Sequence, residues 1–206
     1  MLSRILSLLF PPTHIEILVS NTEYLSPHPV NVRTLRGSIV LTCTHYDDMS
    51  ANAAIKLLKK HGSIQAAKLL SQLLYDTLLE ELSDIELWNP KHIILIPMPL
   101  SPKRKRERGF NQITKVCAQL PAELRTCVVI DILLQTKHVP MQKTLTREQR
   151  LKNVSGIFSI SHPDKVRGAH VILIDDVITT GATLDEAIKT FEKAGVSVTA
   201  VALARA

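Results

Sequence analysis

Residues 171–183 read Val171-Ile172-Leu173-Ile174-Asp175-Asp176-Val177-Ile178-Thr179-Thr180-Gly181-Ala182-Thr183. Four aliphatics in a row predict a strand buried on both faces, as in a parallel sheet. From Leu184 the apolar positions Ala187, Ile188, Phe191 and Ala194 recur at helical spacing and stop at Gly195, which predicts a helix closed by glycine. The intervening loop then joins the carboxyl end of a strand to a helix N-terminus. Backbone N–H groups there have no intrahelical partner and the helix dipole favours an anion. Thr179, Thr180, Gly181, Ala182 and Thr183 can therefore cradle a phosphate with amides and hydroxyls, Gly181 letting the backbone come close.

Asp175 and Asp176 stand beside this loop, where two carboxylates would repel a bare phosphate. A ribose resolves the conflict, because its vicinal hydroxyls donate to carboxylates, and a Mg²⁺ held between sugar oxygens and a diphosphate offsets the charge. The alternative for an isolated Asp-Asp pair is a solvated turn ahead of an ordinary helix cap.

The thirteen-residue string resembles the phosphoribosyl diphosphate (PRPP) signature of type I phosphoribosyltransferases. That resemblance implies that Asp175 and Asp176 bind the ribose hydroxyls and that 179–183 hold the 5′-phosphate. Further pieces narrow the family: Pro97-Met98-Pro99-Leu100; a basic run Lys103, Arg104, Lys105, Arg106; Arg108-Gly109-Phe110-Asn111-Gln112; Gln142 with Leu145; Arg150 with Asn153-Val154; and Gly156-Ile157-Phe158. In this order they resemble the ComF family of competence-associated phosphoribosyltransferase-like proteins, over residues 38–206. The resemblance implies a type I phosphoribosyltransferase-like α/β fold and PRPP with Mg²⁺ as ligand. It also implies a role in uptake of transforming DNA, with single-stranded DNA and DNA-translocation proteins as partners.

Two departures from the family pattern stand out. Members commonly begin with a zinc-binding cysteine module after a Phe-Pro start, whereas Phe10-Pro11-Pro12 is followed here by Thr13-His14-Ile15-Glu16. Cys43, Cys117 and Cys127 are each isolated, so no zinc is expected, and residues 1–37 read as a short degenerate extension ahead of the domain at 38–206. His14, His28 and His45 are too scattered to replace the cysteines. The second departure lies before Gln142, where the family shows Arg-x-Arg-x-Thr and this chain has Gln135, Lys137 and Val139. One cation and one hydroxyl are missing, which weakens any grip on a diphosphate and bears on catalysis more than on binding.

The chain's 206 residues are 45% hydrophobic, enough for a core without disulfides, and three unpaired cysteines suit a reducing, cytoplasmic setting. Residues 1–10 are too short to span a membrane and are expected to pack as an amphipathic helix through Leu2, Leu6 and Leu9. Residues 14–19 alternate. Strands are predicted at 37–45, 91–96, 127–134, 157–160, 171–174 and 196–203, and helices at 48–61, 64–82 and 110–120. Alternating strands and helices give a mostly parallel twisted sheet flanked by helices, with its site beyond the carboxyl ends of the strands.

That rule puts the loop after Ile96 opposite the loop after Ile174, so Pro99 and Arg108 are expected to meet the diphosphate. Lys103–Arg106 read equally as an exposed face or a polyanion contact, and the pattern-free 135–150 segment as a lid. Lys56, Lys59 and Lys60 read as cations complementing a helix C-terminus. Asn111, Gln112 and Asn153 read as caps, and Trp88 as packing.

Three functional classes remain open. One is a DNA-uptake protein with a PRPP-type site, the second an active phosphoribosyltransferase of nucleobase metabolism, and the third a PRPP-sensing regulator without turnover. The net charge of +6 suits a polyanion, while only 4% aromatic residues argues against base stacking. The sequence does not fix the oligomeric state, and a homodimer is one open alternative.

Overall fold

The computed structural model describes residues 11–82, 93–136 and 154–206. The helix expected at 1–10, Trp88, Asn153 and the 137–150 part of the expected lid lie outside them.

Thr13 opens the first helix, α1 (His14–Asn21), with a reciprocal capping box: its side chain accepts from Glu16 N–H, and the Glu16 carboxylate accepts from Thr13 N–H at 2.7 Å. Alternation over 14–19 is thus overridden by the Thr-x-x-Glu signal. Strands β1 (Val30–Arg33) and β2 (Ile39–His45) form an antiparallel hairpin. Helix α2 (Met49–His61) is capped by Asp48 and ended by Gly62 at φ 62°, and α3 (Ile64–Leu82) follows. Next come β3 (Ile93–Pro97), α4 (Pro102–Arg108), α5 (Gln112–Cys117) and the single turn α6 (Ala122–Arg125).

The strand expected at 127–134 is replaced by an isolated bridge of Val128 to Leu95 and then β4 (Leu133–Gln135). Asp131, at φ 66°, turns the chain between them. β4 pairs antiparallel with β5 (Phe158–Ile160) in a separate small sheet. A 3₁₀ turn (Pro163–Lys165), β6 (His170–Ile178), α7 (Ala182–Glu192) and β7 (Ser197–Arg205) complete the order.

The main sheet runs β1-β2-β7-β6-β3, parallel except for the β1 edge. Alternate residues feed two apolar layers. Leu41, Cys43, Ile172, Ile174, Val201 and Leu203 pack under α1, α2, α3 and α5. Val40, Val171, Leu173, Ala200 and Ala202 face α7 and the β4–β5 sheet. Val171, Ile172, Leu173 and Ile174 are at most 2% exposed. Burying each contributes about 1.5–3 kcal/mol, so β6 is pinned at the centre of the fold. Among the described residues no helix is long and apolar enough to cross a membrane.

Candidate functional site

β6 is longer than the sequence predicts. It continues past Ile174 because β7 stays paired beside it, Asp175 opposite Ala202 and Val177 opposite Ala204, as far as Ile178. Asp175 and Asp176 therefore sit within a strand rather than in the loop after it. Their side chains leave on opposite faces of the pleat. Each is also fixed locally: the Asp175 carboxylate accepts from Asp176 N–H at 2.8 Å, and Asp176 Oδ1 accepts from Val177 N–H at 2.6 Å.

Asp176 Oδ2 has two further donors from distant elements. Gln112 Nε2 at the start of α5 lies 2.6 Å away and Lys59 Nζ in the last turn of α2 lies 2.9 Å away. Arg108 in turn donates to Gln112 Oε1. Gln112 is thus not the helix cap expected of it. That role belongs to Asn111, whose Oδ1 accepts from Ile113 and Thr114 N–H while its Nδ2 donates to the Met98 carbonyl. Lys59, read from sequence as a helix-end cation, is in the last turn of α2 as expected and in addition reaches the Asp176 carboxylate.

Asp176, Gln112, Lys59 and Arg108 line an open cleft of about 710 Å³ that also includes Tyr46, Lys60, Arg104, Glu107, Val177, Thr179 and Ala206; Asp175, Thr180, Gly181, Ala182 and Thr183 are not among the residues bordering it. Four cations, Lys59, Lys60, Arg104 and Arg108, face it against Asp176 and Glu107. The basic run is thereby split. Arg104 and Arg108, one helical turn apart on α4, border the cleft, while Lys103 pairs with Glu107 at 3.8 Å, both well exposed, and Lys105 and Arg106 border a separate shallow hollow. Arg108, expected from sequence to meet the diphosphate, borders the cleft. Pro99 is half-buried after β3 and is not among the residues bordering the cleft; its neighbour Met98 ties that loop to β6 by donating its N–H to the Ile174 carbonyl at 2.8 Å.

Only Thr179 and Thr180 separate β6 from Gly181, the N-cap of α7, so the helix starts two residues earlier than expected. Gly181 has φ 71° and supplies no side-chain cap to the first-turn amides. Thr179 and Thr183 are exposed, Thr180 is half-buried, and Gly181 and Ala182 are buried. The loop is held from behind by the β1–β2 turn. Thr180 carbonyl accepts from Leu35 N–H at 3.2 Å, Asp185 accepts from the Thr34 hydroxyl and from Arg36 N–H, and Glu186 accepts from Arg36 Nη1 at 2.7 Å and from Gly156 N–H at 2.7 Å. Burial works to raise the Glu186 carboxyl, but the Gly156 N–H and Arg36 outweigh it and hold the group below its ordinary range. Asp185 and Glu186 are both buried, and Asp185 lies in the first turn of α7, where the helix dipole favours an acid.

Sequence reading missed Thr34, Arg36, Asp185, Glu186, Tyr46 and Lys59. The one local signal was the acid pair after the loop, since buried Asp and Glu require partners.

Burial, followed by the charge of Asp176, pushes the Asp175 carboxyl up to about 7, against the Asp176 N–H, Lys59 and Arg104. The sign for folding follows. Between about pH 4 and 7 the folded chain keeps a proton that the unfolded chain has lost, so this group's contribution falls as pH rises through that window. Asp175→Asn removes the loss. Its stability advantage over the wild type in denaturant titrations should widen from pH 5 to pH 8, reaching on the order of 1 kcal/mol.

A phosphoribosyl transferase domain model matches residues 108–206, from the end of α4 to the C-terminal strand. Competence protein F of Haemophilus influenzae is 35% identical over 143 residues, which are 69% of this chain and 62% of that protein. DNA utilization protein YhgH of Escherichia coli strain K12 is 31% identical over 132 residues, 64% of this chain and 56% of that protein. Competence protein ComFC of Bacillus subtilis is 38% identical over 94 residues, 46% of this chain and 36% of that protein. The chain thus spans less than two thirds of the length of each of these relatives.

Proposed function

Because the chain is a phosphoribosyltransferase-like protein of the ComF family, we propose that its cleft binds PRPP or a closely related ribose 5-phosphate ligand in the service of DNA uptake. One observation supports the reading: Asp176 of β6, Thr179 at the start of the loop to α7, and Arg104 and Arg108 of α4 border one cleft.

In this reading Asp175 and Asp176 accept from the ribose hydroxyls. The amides and hydroxyls of Thr179, Thr180, Gly181, Ala182 and Thr183 take the 5′-phosphate. Arg104 and Arg108 face the 1′-diphosphate, where guanidinium geometry suits phosphate oxygens. Mg²⁺ fits as a companion of the ligand. No group of three or more His, Cys, Asp or Glu side chains suited to a metal exists among the described residues, so the ion would be held mainly by diphosphate and sugar oxygens, as Mg²⁺ commonly is, and would neutralise the diphosphate there.

Any transfer would be substitution at the anomeric carbon through a cation-like sugar. Such a reaction needs no protein nucleophile, only positioning and nearby carboxylate charge. In this reading Asp176 serves both purposes, and Asp175 joins it once the proton that burial helps it keep up to about pH 7 is lost.

The names of the relatives, competence protein and DNA utilization protein, support a place in DNA uptake; a cytoplasmic setting and contact with single-stranded DNA or the proteins that move it are part of the proposal. Lys105 and Arg106 of α4 border a hollow separate from the cleft and suit a backbone-led contact. Changing both to Ser should lower the salt slope of single-stranded DNA binding by roughly one to two units while PRPP binding stays unchanged. Equal loss of both activities would mean a shared site.

Thermal unfolding tests the ligand assignment. PRPP with Mg²⁺ at about 100 times its Kd should stabilise the fold by about 2.7 kcal/mol, and free ribose should not. Identical curves with PRPP and ribose would reject the assignment.

A further inference from the structure

The hydrogen bonds of Asp176 pair its carboxylate with groups of the protein itself. Its Oδ1 accepts from Val177 N–H, and its Oδ2 accepts from both Gln112 and Lys59. An oxygen with two donors is full, so a sugar hydroxyl reaching Oδ2 must displace one of them. The two donors differ in how easily they leave. Gln112 is 5% exposed, sits at the start of α5, and is gripped through its other atom by Arg108. The Lys59 side chain is 31% exposed and ends in a compact cation on a four-carbon stem rooted in the last turn of α2. Lys59 also borders the same cleft as Arg104 and Arg108, within the space a diphosphate would enter.

We propose that Lys59 is the exchangeable cation of the site: it pairs with Asp176 and passes to the ligand's diphosphate when Asp176 takes a ribose hydroxyl. The inference rests on the PRPP reading above and adds a residue and a sequence of contacts to it. Two costs are met by one movement. Pairing with Lys59 spares Asp176 from standing as an uncompensated carboxylate next to Asp175, and transfer of Lys59 to the diphosphate adds a charge-assisted bond to phosphate oxygens. Gln112 stays behind as a positioning residue that keeps the Asp176 carboxylate oriented during the exchange.

The exchange predicts a split between ligands with and without a diphosphate. Titration calorimetry of the full chain, with Mg²⁺ present, compares PRPP with ribose 5-phosphate on wild type, Lys59→Met and Lys59→Arg. The expected result for Lys59→Met is a loss of roughly 10-fold or more for PRPP with less than about twofold change for ribose 5-phosphate, and Lys59→Arg should recover most of the loss. Equal losses for both ligands would leave Lys59 as a fixed holder of Asp176 and overturn the proposal. Unchanged PRPP binding in Lys59→Met would overturn it as well, while leaving the PRPP site standing. Failure of the wild type to bind either ligand would instead reject the site reading, and this inference with it.

Discussion

Asp175→Asn combined with Asp176→Asn should lower PRPP affinity by about 100-fold or more and leave the chain folded. Each ribose hydroxyl donating to an ionised carboxylate is worth about 1.5–3 kcal/mol, and asparagine keeps the shape while losing the charge. The fold should survive because neither carboxylate supports the core. Asp175 is held above its ordinary range by burial and by Asp176, so neutralising it relieves a cost of folding. Asp176 loses an ion pair with a partly exposed lysine, a small term. Of its bonds from Val177 N–H to Oδ1 and from Gln112 to Oδ2, an asparagine keeps the one that meets its amide oxygen and loses the other, which costs about 1 kcal/mol. Equilibrium binding and a denaturant melt on the same variant separate the possibilities. Loss of the fold would make the acid pair structural, and retained affinity would remove it from the site.

Gly181→Ala should be the most damaging single methyl addition in the region. The glycine sits at φ 71°, a conformation that costs a side chain roughly 1–2 kcal/mol. A Cβ there would lie 2.5 Å from Thr34 Cγ2 and 2.8 Å from Thr34 Cβ, well inside van der Waals contact. The expected loss is about 2–4 kcal/mol of stability, with binding of the 5′-phosphate weakened because the loop is pushed off the β1–β2 turn. Thr34→Ser in the same chain removes the closest contact and keeps the hydroxyl that bonds Asp185, so it should return part of the lost stability. Full stability in Gly181→Ala alone would show that the loop is not packed against Thr34 as described.

The Thr34 contact also marks the boundary of what the sequence can reveal. The 171–183 string is legible because all of its chemistry is local: a buried strand, two acids, a glycine and a helix start within thirteen residues. Asp185 finds Thr34 at a separation of 151 residues, and Gln112 finds Asp176 at 64. No periodicity or spacing encodes such pairings.

Lys59 is the instructive case. At the end of α2 its charge already had a sufficient local explanation in the helix dipole, and only the packing of α2 over β6 brings it within 2.9 Å of Asp176. The basic run 103–106 was ambiguous for a related reason. Until Pro102–Arg108 is known to be a helix, nothing tells Arg104 from Lys105, and the turn then sends them to different surfaces.

Errors in the strand boundaries have a similar source. Burial of Val171–Ile174 is visible in composition, but the extension of β6 through Asp175–Ile178 depends on its neighbour β7 continuing to Arg205. The displaced 127–134 strand likewise reflects Asp131 at positive φ, a turn position that an aspartate tolerates without announcing. At 14–19 the alternation was a coincidence, and the capping box of Thr13 and Glu16 was the signal with a mechanism.

The central claim is that the carboxylates of β6 and the N-terminus of α7 form one PRPP site. Calorimetric titration of the purified chain with PRPP, with and without Mg²⁺, tests it most directly. The account predicts saturable one-to-one binding with a dissociation constant on the order of micromolar in the presence of Mg²⁺, weaker in its absence. Absence of measurable heat and of competition by ribose 5-phosphate at millimolar concentration would contradict it.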